Sequence, residues 1–109
     1  MTKDNIRRSI RRLSRHAMES EKVIEAYLVR KVKAMGGLCL KFSSQTDIGY
    51  PDRIVLLPGG KTIWVELKSK GGKPRRIQEL RMESLTALGF EVHVADSSGK
   101  VDEILKIED

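Results

Sequence analysis

Asp52-Arg53-Ile54-Val55-Leu56-Leu57-Pro58-Gly59-Gly60-Lys61-Thr62-Ile63-Trp64-Val65-Glu66-Leu67-Lys68 is the stretch that decides the fold. Two runs rich in β-branched and aliphatic residues flank Pro58-Gly59-Gly60-Lys61, whose composition is that of a turn, so the segment predicts a β-hairpin. A turn centred on Gly59-Gly60 sets Leu57 against Thr62 and Asp52 against Leu67. Alternation puts Trp64, Glu66 and Lys68 on one face of their strand and Ile63, Val65 and Leu67 on the other. Asp52, opening the first strand, then lies diagonally beside Glu66 and Lys68. Neighbours of that kind sit roughly 5–8 Å apart at Cβ, a span that a divalent cation can bridge.

The charges at this end of the hairpin suggest a chemistry. Two carboxylates held close repel unless one is protonated or a cation sits between them. Oxygen-only ligands with open positions suit a hard ion, Mg²⁺ or Mn²⁺, rather than zinc. Such an ion can polarise a phosphate, acidify a bound water and neutralise charge as a phosphodiester is attacked. Lys68 adds a fixed cation beside that charge. Glu66-Leu67-Lys68 alone would read as a solvated pair on a sheet face. Joined to Gly49-Tyr50-Pro51-Asp52 fourteen residues earlier, in a basic chain, it points to a metal-dependent nuclease.

Outward from the hairpin, residues 1–18 repeat Ile6, Ile10, Leu13 and Ala17 at helical spacing. The same segment carries Lys3, Arg7, Arg8, Arg11, Arg12 and Arg15 against Asp4, a balance of +5. It is expected to be a basic amphipathic arm that contacts DNA or supports a dimer. A second helix is predicted from about Glu21 to Met35, capped by Ser20, with Val23, Ile24, Tyr27, Leu28 and Val32 buried and Gly36-Gly37 as its stop. Glu21 and Glu25 are four apart and project from the same side, so either could add a third carboxylate to the metal site.

Leu38-Cys39-Leu40-Lys41-Phe42 reads as a strand, and residues 43–50 as a loop at the rim of the site. After the hairpin, Lys70-Gly71-Gly72-Lys73 is a basic linker, and Pro74 fits the first turn of a helix reaching about Leu88. In that helix Ile77, Leu80, Leu85, Met82 and Leu88 are expected inward, with Arg75, Arg76 and Arg81 wet. Gln78, in its first turns, could hydrogen-bond a water or phosphate. Residues 90–95 alternate as a strand, and a turn at Ser97-Ser98-Gly99 leads to a short helix with Val101, Ile104 and Leu105 apolar. The fold class is therefore α/β, a small mixed sheet flanked by helices in the order α-α-β-β-β-α-β-α.

Whole-chain properties bound the function. A length of 109 residues and 39% hydrophobic content fit one globular domain, here residues 19–109 behind the arm. No apolar run reaches membrane-spanning length, and the start of the chain has no signal-peptide core. The single Cys39 excludes an internal disulfide and agrees with a reducing cytoplasm. It reads as a small core residue. His16 and His93 are isolated, and neither a zinc grouping nor a phosphate loop is present. The formal charge of +6 suits a polyanion such as nucleic acid. Its expected contacts are Arg7, Arg8, Arg11, Arg12 and Arg15 on the arm, with Lys41, Lys70, Lys73, Arg75 and Arg76 around the site.

Taken in order, Glu21-Lys22-Val23-Ile24-Glu25, Gly36 to Phe42, Gly49 to Val55, Val65-Glu66-Leu67-Lys68, Pro74, Gln78 and Leu88-Gly89-Phe90 resemble the VRR-NUC domain. That family is a branch of the restriction-endonuclease-like PD-(D/E)xK superfamily. The resemblance spans about residues 20–96. It implies Asp52 and Glu66 as metal ligands, a helix glutamate (Glu21, or Glu25 in its place), catalytic help from Lys68 and support from Gln78. It also implies Mg²⁺ or Mn²⁺ as cofactor. Stand-alone members resemble phage and bacterial homodimers that cut branched DNA, including four-way (Holliday) junctions. A flap- or restriction-type nuclease and a non-catalytic nucleic-acid-binding protein are the alternatives.

Overall fold

The computed structural model describes residues 19–107. The basic arm at 1–18, with its predicted helix and its arginine contacts, lies outside the described residues. From residue 19 on, the elements are α1 (Glu21–Ala34), β1 (Leu38–Lys41), β2 (Arg53–Leu57), β3 (Lys61–Leu67), α2 (Arg76–Ala87), β4 (Glu91–Ala95) and α3 (Ser98–Leu105). This is the expected order after the arm.

Helix α1 begins where Ser20 Oγ accepts the Val23 amide at 3.2 Å, satisfying one of the free donors of the first turn. Ile24, Leu28 and Val32, each four apart, are fully buried and form a single narrow stripe against the sheet. Val23 was expected on that face but is 51% exposed, because it lies one position off the stripe. Tyr27 sits at the stripe's edge and its hydroxyl donates to Asp102 Oδ1 at 2.7 Å, tying α1 to α3.

The sheet runs β1-β2-β3-β4. The first two pairings are antiparallel, and β3 to β4 is parallel with α2 as the crossover. The hairpin between β2 and β3 forms, but its register is one residue from the expected one. Leu57 pairs with Lys61 and Arg53 with Val65, because Pro58, Gly59 and Gly60 make a three-residue turn. Both glycines have positive φ, and Gly60 N donates to Leu57 O at 3.2 Å. The slip has a consequence: extended by one residue, the ladder sets Asp52 level with Glu66, on the same face. The expected register would have set it on the face of Leu67.

One sheet face is the core. Val55, Ile63, Val65, Leu67 and Ala95 pack against Ile24, Leu28 and Val32 of α1 and Val101, Ile104 and Leu105 of α3. Cys39 packs at its margin, where burial pushes the thiol up from its ordinary value, as suits a structural cysteine. The other face carries Leu40, Ile54, Trp64 and Val92 in one cross-strand row. Trp64 meets Phe42 and Phe90 edge-on, with ring centroids 5.1 and 6.4 Å away. Leu38, Leu40, Leu88 and Phe90 around this face are exposed.

Helix α2 departs from expectation in detail. It starts after Pro74, with Arg75 as N-cap, so the proline precedes the first turn. Leu85 is buried, whereas Leu80 and Leu88 are exposed and Ile77 and Met82 half-buried. Arg81 is not a solvated cation. Its Nε donates to Ile48 O at 2.8 Å and its guanidinium lies 5.3 Å from the Tyr50 ring centroid. The loop that brings in Asp52 is thereby held to α2. Gly49 completes the clamp: φ is +92°, and a Cβ there would come within 2.9 Å of the Ile77 side chain.

Candidate active site

The segment before β2 delivers Asp52 through two backbone-level contacts. Phe42 N donates to Asp52 O at 2.9 Å, continuing the β1–β2 ladder, and Leu67 N donates to Asp52 Oδ2 at 2.8 Å. Pro51 is fully buried and fixes the chain just before it. The Asp52 carboxylate is thus fixed against the end of β3, where Glu66 emerges.

Glu66 is 1% exposed. Burial, and after it a hydrogen bond shared with Asp52, raise its carboxyl to about 8 from an ordinary 4.5. The charges of Asp52 and Glu21 act in the same direction, and Lys68 opposes them. One carboxyl oxygen, Glu66 Oε2, is buried with no hydrogen-bond partner. A buried, unpartnered acceptor next to a second carboxylate is costly unless a proton or a cation satisfies it. Lys68 is half-buried just beyond, and its ammonium makes no ion pair among the described residues.

Three of the five expected catalytic side chains therefore converge: Asp52, Glu66 and Lys68. Glu21 is exposed at the start of α1, near enough for its charge to act on Glu66. Among the described residues no three His, Cys, Asp or Glu side chains gather into a metal cage, so Glu21 does not complete one. Glu25 is committed elsewhere: its Oε2 pairs with Arg53 Nε at 3.1 Å. Gln78 is 8% exposed, and its Oε1 accepts the Arg75 amide at 2.8 Å. That bond caps α2 and leaves the amide nitrogen as the donor Gln78 can offer a substrate.

Beside Asp52 lies a cleft of about 700 Å³ lined by Glu21, Lys22, Glu25, Lys41, Phe42 and Ser43. Lys41, Lys70, Lys73 and Arg75 are exposed, as a phosphate-contacting role requires. Arg76 is exposed too, but pairs with Glu79 at 3.6 Å and Glu83 at 3.9 Å on its own helix. Another cleft, of about 540 Å³ between α2 and β4, is lined by Met82, Ala87, Val92 and Val94 and includes none of Asp52, Glu66 or Lys68.

Two residues that join elements of the fold escaped sequence reasoning. Arg53 looked like one more strand position, and only the fold shows its head bridging α1 and β1. Glu19 drew no role in the sequence beyond standing next to the Ser20 cap. It is 7% exposed, and its Oε1 accepts the Ser98 amide at 2.9 Å at the start of α3. A carboxylate against a helix N-terminus is favoured by the helix dipole, but nothing in the sequence pairs residues so far apart.

The donor set fits a hard divalent cation. It offers two carboxylates in contact, one with a buried unpartnered oxygen, and no sulfur or imidazole ligand.

No family model matches the chain. A curated protein of Acyrthosiphon pisum secondary endosymbiont phage 1, named "Putative nuclease p44", is 47% identical over 77 residues, which is 71% of this chain and 83% of that protein. Among solved structures, a VRR_NUC domain is similar with a TM-score of 0.75 and 31% identity, over 82% of this chain and 97% of that one. A VRR_NUC domain protein shares the fold with a TM-score of 0.65, at 16% identity over 82% of this chain and 87% of its own.

Proposed function

Since this chain belongs to the VRR-NUC family of nucleases, we propose that it is a divalent-metal-dependent, structure-specific DNA endonuclease that resolves four-way junctions. The observation that supports this reading most is the Asp52–Glu66 pair, in which Glu66 is buried with an unpartnered oxygen, with the Lys68 ammonium alongside and in no ion pair among the described residues.

Asp52 and Glu66 would hold Mg²⁺ or Mn²⁺, with Glu21 as an outer acid. When bound, such an ion would polarise the scissile phosphate and acidify water. The chain's own residues supply the rest. Lys68 would offset the charge that builds on the phosphate oxygens. Lys41, Lys70, Lys73 and Arg75 would hold the flanking phosphates and so fix the strand's register over the carboxylates. The Gln78 amide nitrogen would donate to a phosphate oxygen or to the attacking water. Leu67 N would keep Asp52 oriented by its hydrogen bond.

A homodimer suits a two-fold-symmetric junction. The open sheet face bordered by Leu38, Leu40, Leu88 and Phe90 offers apolar surface for a second copy. One free, half-buried thiol agrees with a reducing compartment, and the cytoplasm of a bacterial or phage-infected host is the proposed location. Among the described residues no helix is long and apolar enough to cross a membrane.

The test is a nicking assay on linear duplex, flap and four-way junction DNA, with and without Mg²⁺ or Mn²⁺. Cation-dependent cutting of the junction, abolished by Asp52→Asn with binding retained, is the expected result. Cutting of flap or linear duplex in preference would replace the junction assignment. Undiminished cutting by Asp52→Asn, or by the protein without divalent ions, would end the reading.

A further inference from the structure

Arg53 follows the Asp52 carboxylate immediately in sequence but points to the opposite face of the sheet, where it partners Lys41 and Val65 in the ladder. Its guanidinium makes two bonds to two different elements. Nε meets Glu25 Oε2 of α1 at 3.1 Å, and Nη1 donates to Cys39 O of β1 at 3.1 Å. The pair is largely buried, with 12% of the Arg53 side chain and 28% of the Glu25 side chain exposed. Glu25 stands one turn after Glu21, and both line the cleft next to Asp52. Two glutamates of one helix therefore have access to one cleft, yet among the described residues only Glu25 carries a matched cation.

We propose that Arg53 is a positioning residue of the nuclease site: by binding Glu25 and the β1 backbone it ties up the Glu25 carboxylate at the cleft wall, leaving Glu21 as the helix acid that serves the Asp52–Glu66 pair. The inference rests on the nuclease reading above and deepens it. The charge environment agrees with the geometry. Glu21 is the helix acid that acts on Glu66, whereas Glu25 acts with Arg53 on Cys39. A half-buried carboxylate left unpaired near two others would move to whatever cation was at hand, and Arg53 removes that option. The fork geometry of arginine is what allows one side chain to hold a helix and a strand at once.

The test measures Mn²⁺ binding by calorimetry and nicking of a four-way junction, for the unaltered protein and for Glu21→Gln, Glu25→Gln, Arg53→Met and the double variant Glu21→Gln/Arg53→Met. Second-sphere and ligand substitutions change metal affinity by about 10–100-fold, which sets the scale. Glu21→Gln should weaken Mn²⁺ binding about tenfold in the unaltered background, and Glu25→Gln by less than about threefold. With Arg53→Met, Glu25 is released to substitute, so the added penalty of Glu21→Gln should shrink to less than about threefold. Arg53→Lys, which keeps the cation opposite Glu25, should restore the full penalty. Thermal melts check that each variant folds, and Arg53→Gln replaces Arg53→Met if the latter does not. A Glu21→Gln penalty that is the same in both backgrounds, or a Glu25→Gln penalty as large as that of Glu21→Gln, overturns the assignment and leaves the nuclease reading standing. No Mn²⁺ uptake by the unaltered protein takes down both.

Discussion

Replacing Glu66 by glutamine should stabilise the cation-free protein at neutral pH while destroying its response to metal. The carboxyl is raised to about 8 in the folded chain from an ordinary 4.5, first by burial and then by Asp52. The folded state therefore binds this proton more tightly than the unfolded chain does. The resulting stability is fully present below about pH 4.5, declines as pH rises, and is gone above about pH 8. Each unit is worth about 1.4 kcal/mol, so going from pH 4.5 to pH 7 costs the cation-free protein about 3 kcal/mol at this one group. Glutamine stays neutral throughout, and its amide can still donate to Asp52 where the shared proton did.

For a domain of this size about 1 kcal/mol corresponds to roughly 4–8 °C in melting temperature. Glu66→Gln should thus melt about 10 °C or more above the unaltered protein at pH 7 in chelator, with the two curves converging toward pH 4.5. Mn²⁺ competes with the proton, so it should raise the melting temperature of the unaltered protein more at pH 8 than at pH 6, and leave Glu66→Gln unmoved. Scanning calorimetry across pH 4.5–8, with chelator and with Mn²⁺, measures all of this. A variant that melts below the unaltered protein at pH 7 in chelator, or that keeps the same pH slope, would refute the reasoning.

Asp52→Ala removes the acceptor of Leu67 N as well as a proposed ligand, so it should lose about 1–3 kcal/mol of stability, where Asp52→Asn, which keeps an acceptor oxygen, loses less in the same denaturant titration. Gly49→Ala should cost about 2 kcal/mol or more, because it combines a strained φ of +92° with a contact to Ile77 that something must relieve. A urea melt within about 0.5 kcal/mol of the unaltered protein would show that the loop yields instead. Deleting residues 1–18, which carry a balance of +5, should weaken DNA binding and flatten the dependence of log Kd on log salt. An unchanged slope in fluorescence anisotropy would move the arm to a dimerising or inert role. If the proposed dimer forms through the exposed row beside Ile54, Leu40→Glu should shift it to monomer in sedimentation equilibrium, with little change in melting temperature.

What the sequence made legible is what local chemistry dictates. The β2 and β3 runs, the Ser20 cap, the Ile24-Leu28-Val32 stripe and the apolar positions of α3 are written in period and composition, and each appears where those rules place it. The acidic pair was legible for the same reason, since a hairpin of known length must return Glu66 to the neighbourhood of Asp52. Illegible were the properties set by one residue of turn geometry or by contacts between distant segments. Composition does not distinguish a two-residue turn from the three-residue Pro58-Gly59-Gly60 turn, yet that choice decides which face Asp52 shares. Arg81 read as a surface charge, Arg53 as one strand position among others, and Glu19 drew no role of its own, because a cation or anion shows no periodic signal of the backbone group it will bind. Arg81 holds the loop before Asp52 and Arg53 the strand after it, so the residues that position the site are those least visible in the sequence. The geometry of Glu66 follows from that framework. Arg81 and Gly49 hold the Asp52 loop to α2, and Arg53 and Glu25 join β2 to α1, so two clamps brace the Asp52 segment against which Glu66 is set. Loosening either clamp should admit water to Glu66 and lower its carboxyl from about 8 toward the ordinary range. A carbon-13 NMR titration of the Glu66 carboxyl in Gly49→Ala should find that drop, and an unchanged midpoint would mean that the hairpin alone keeps the acid dry.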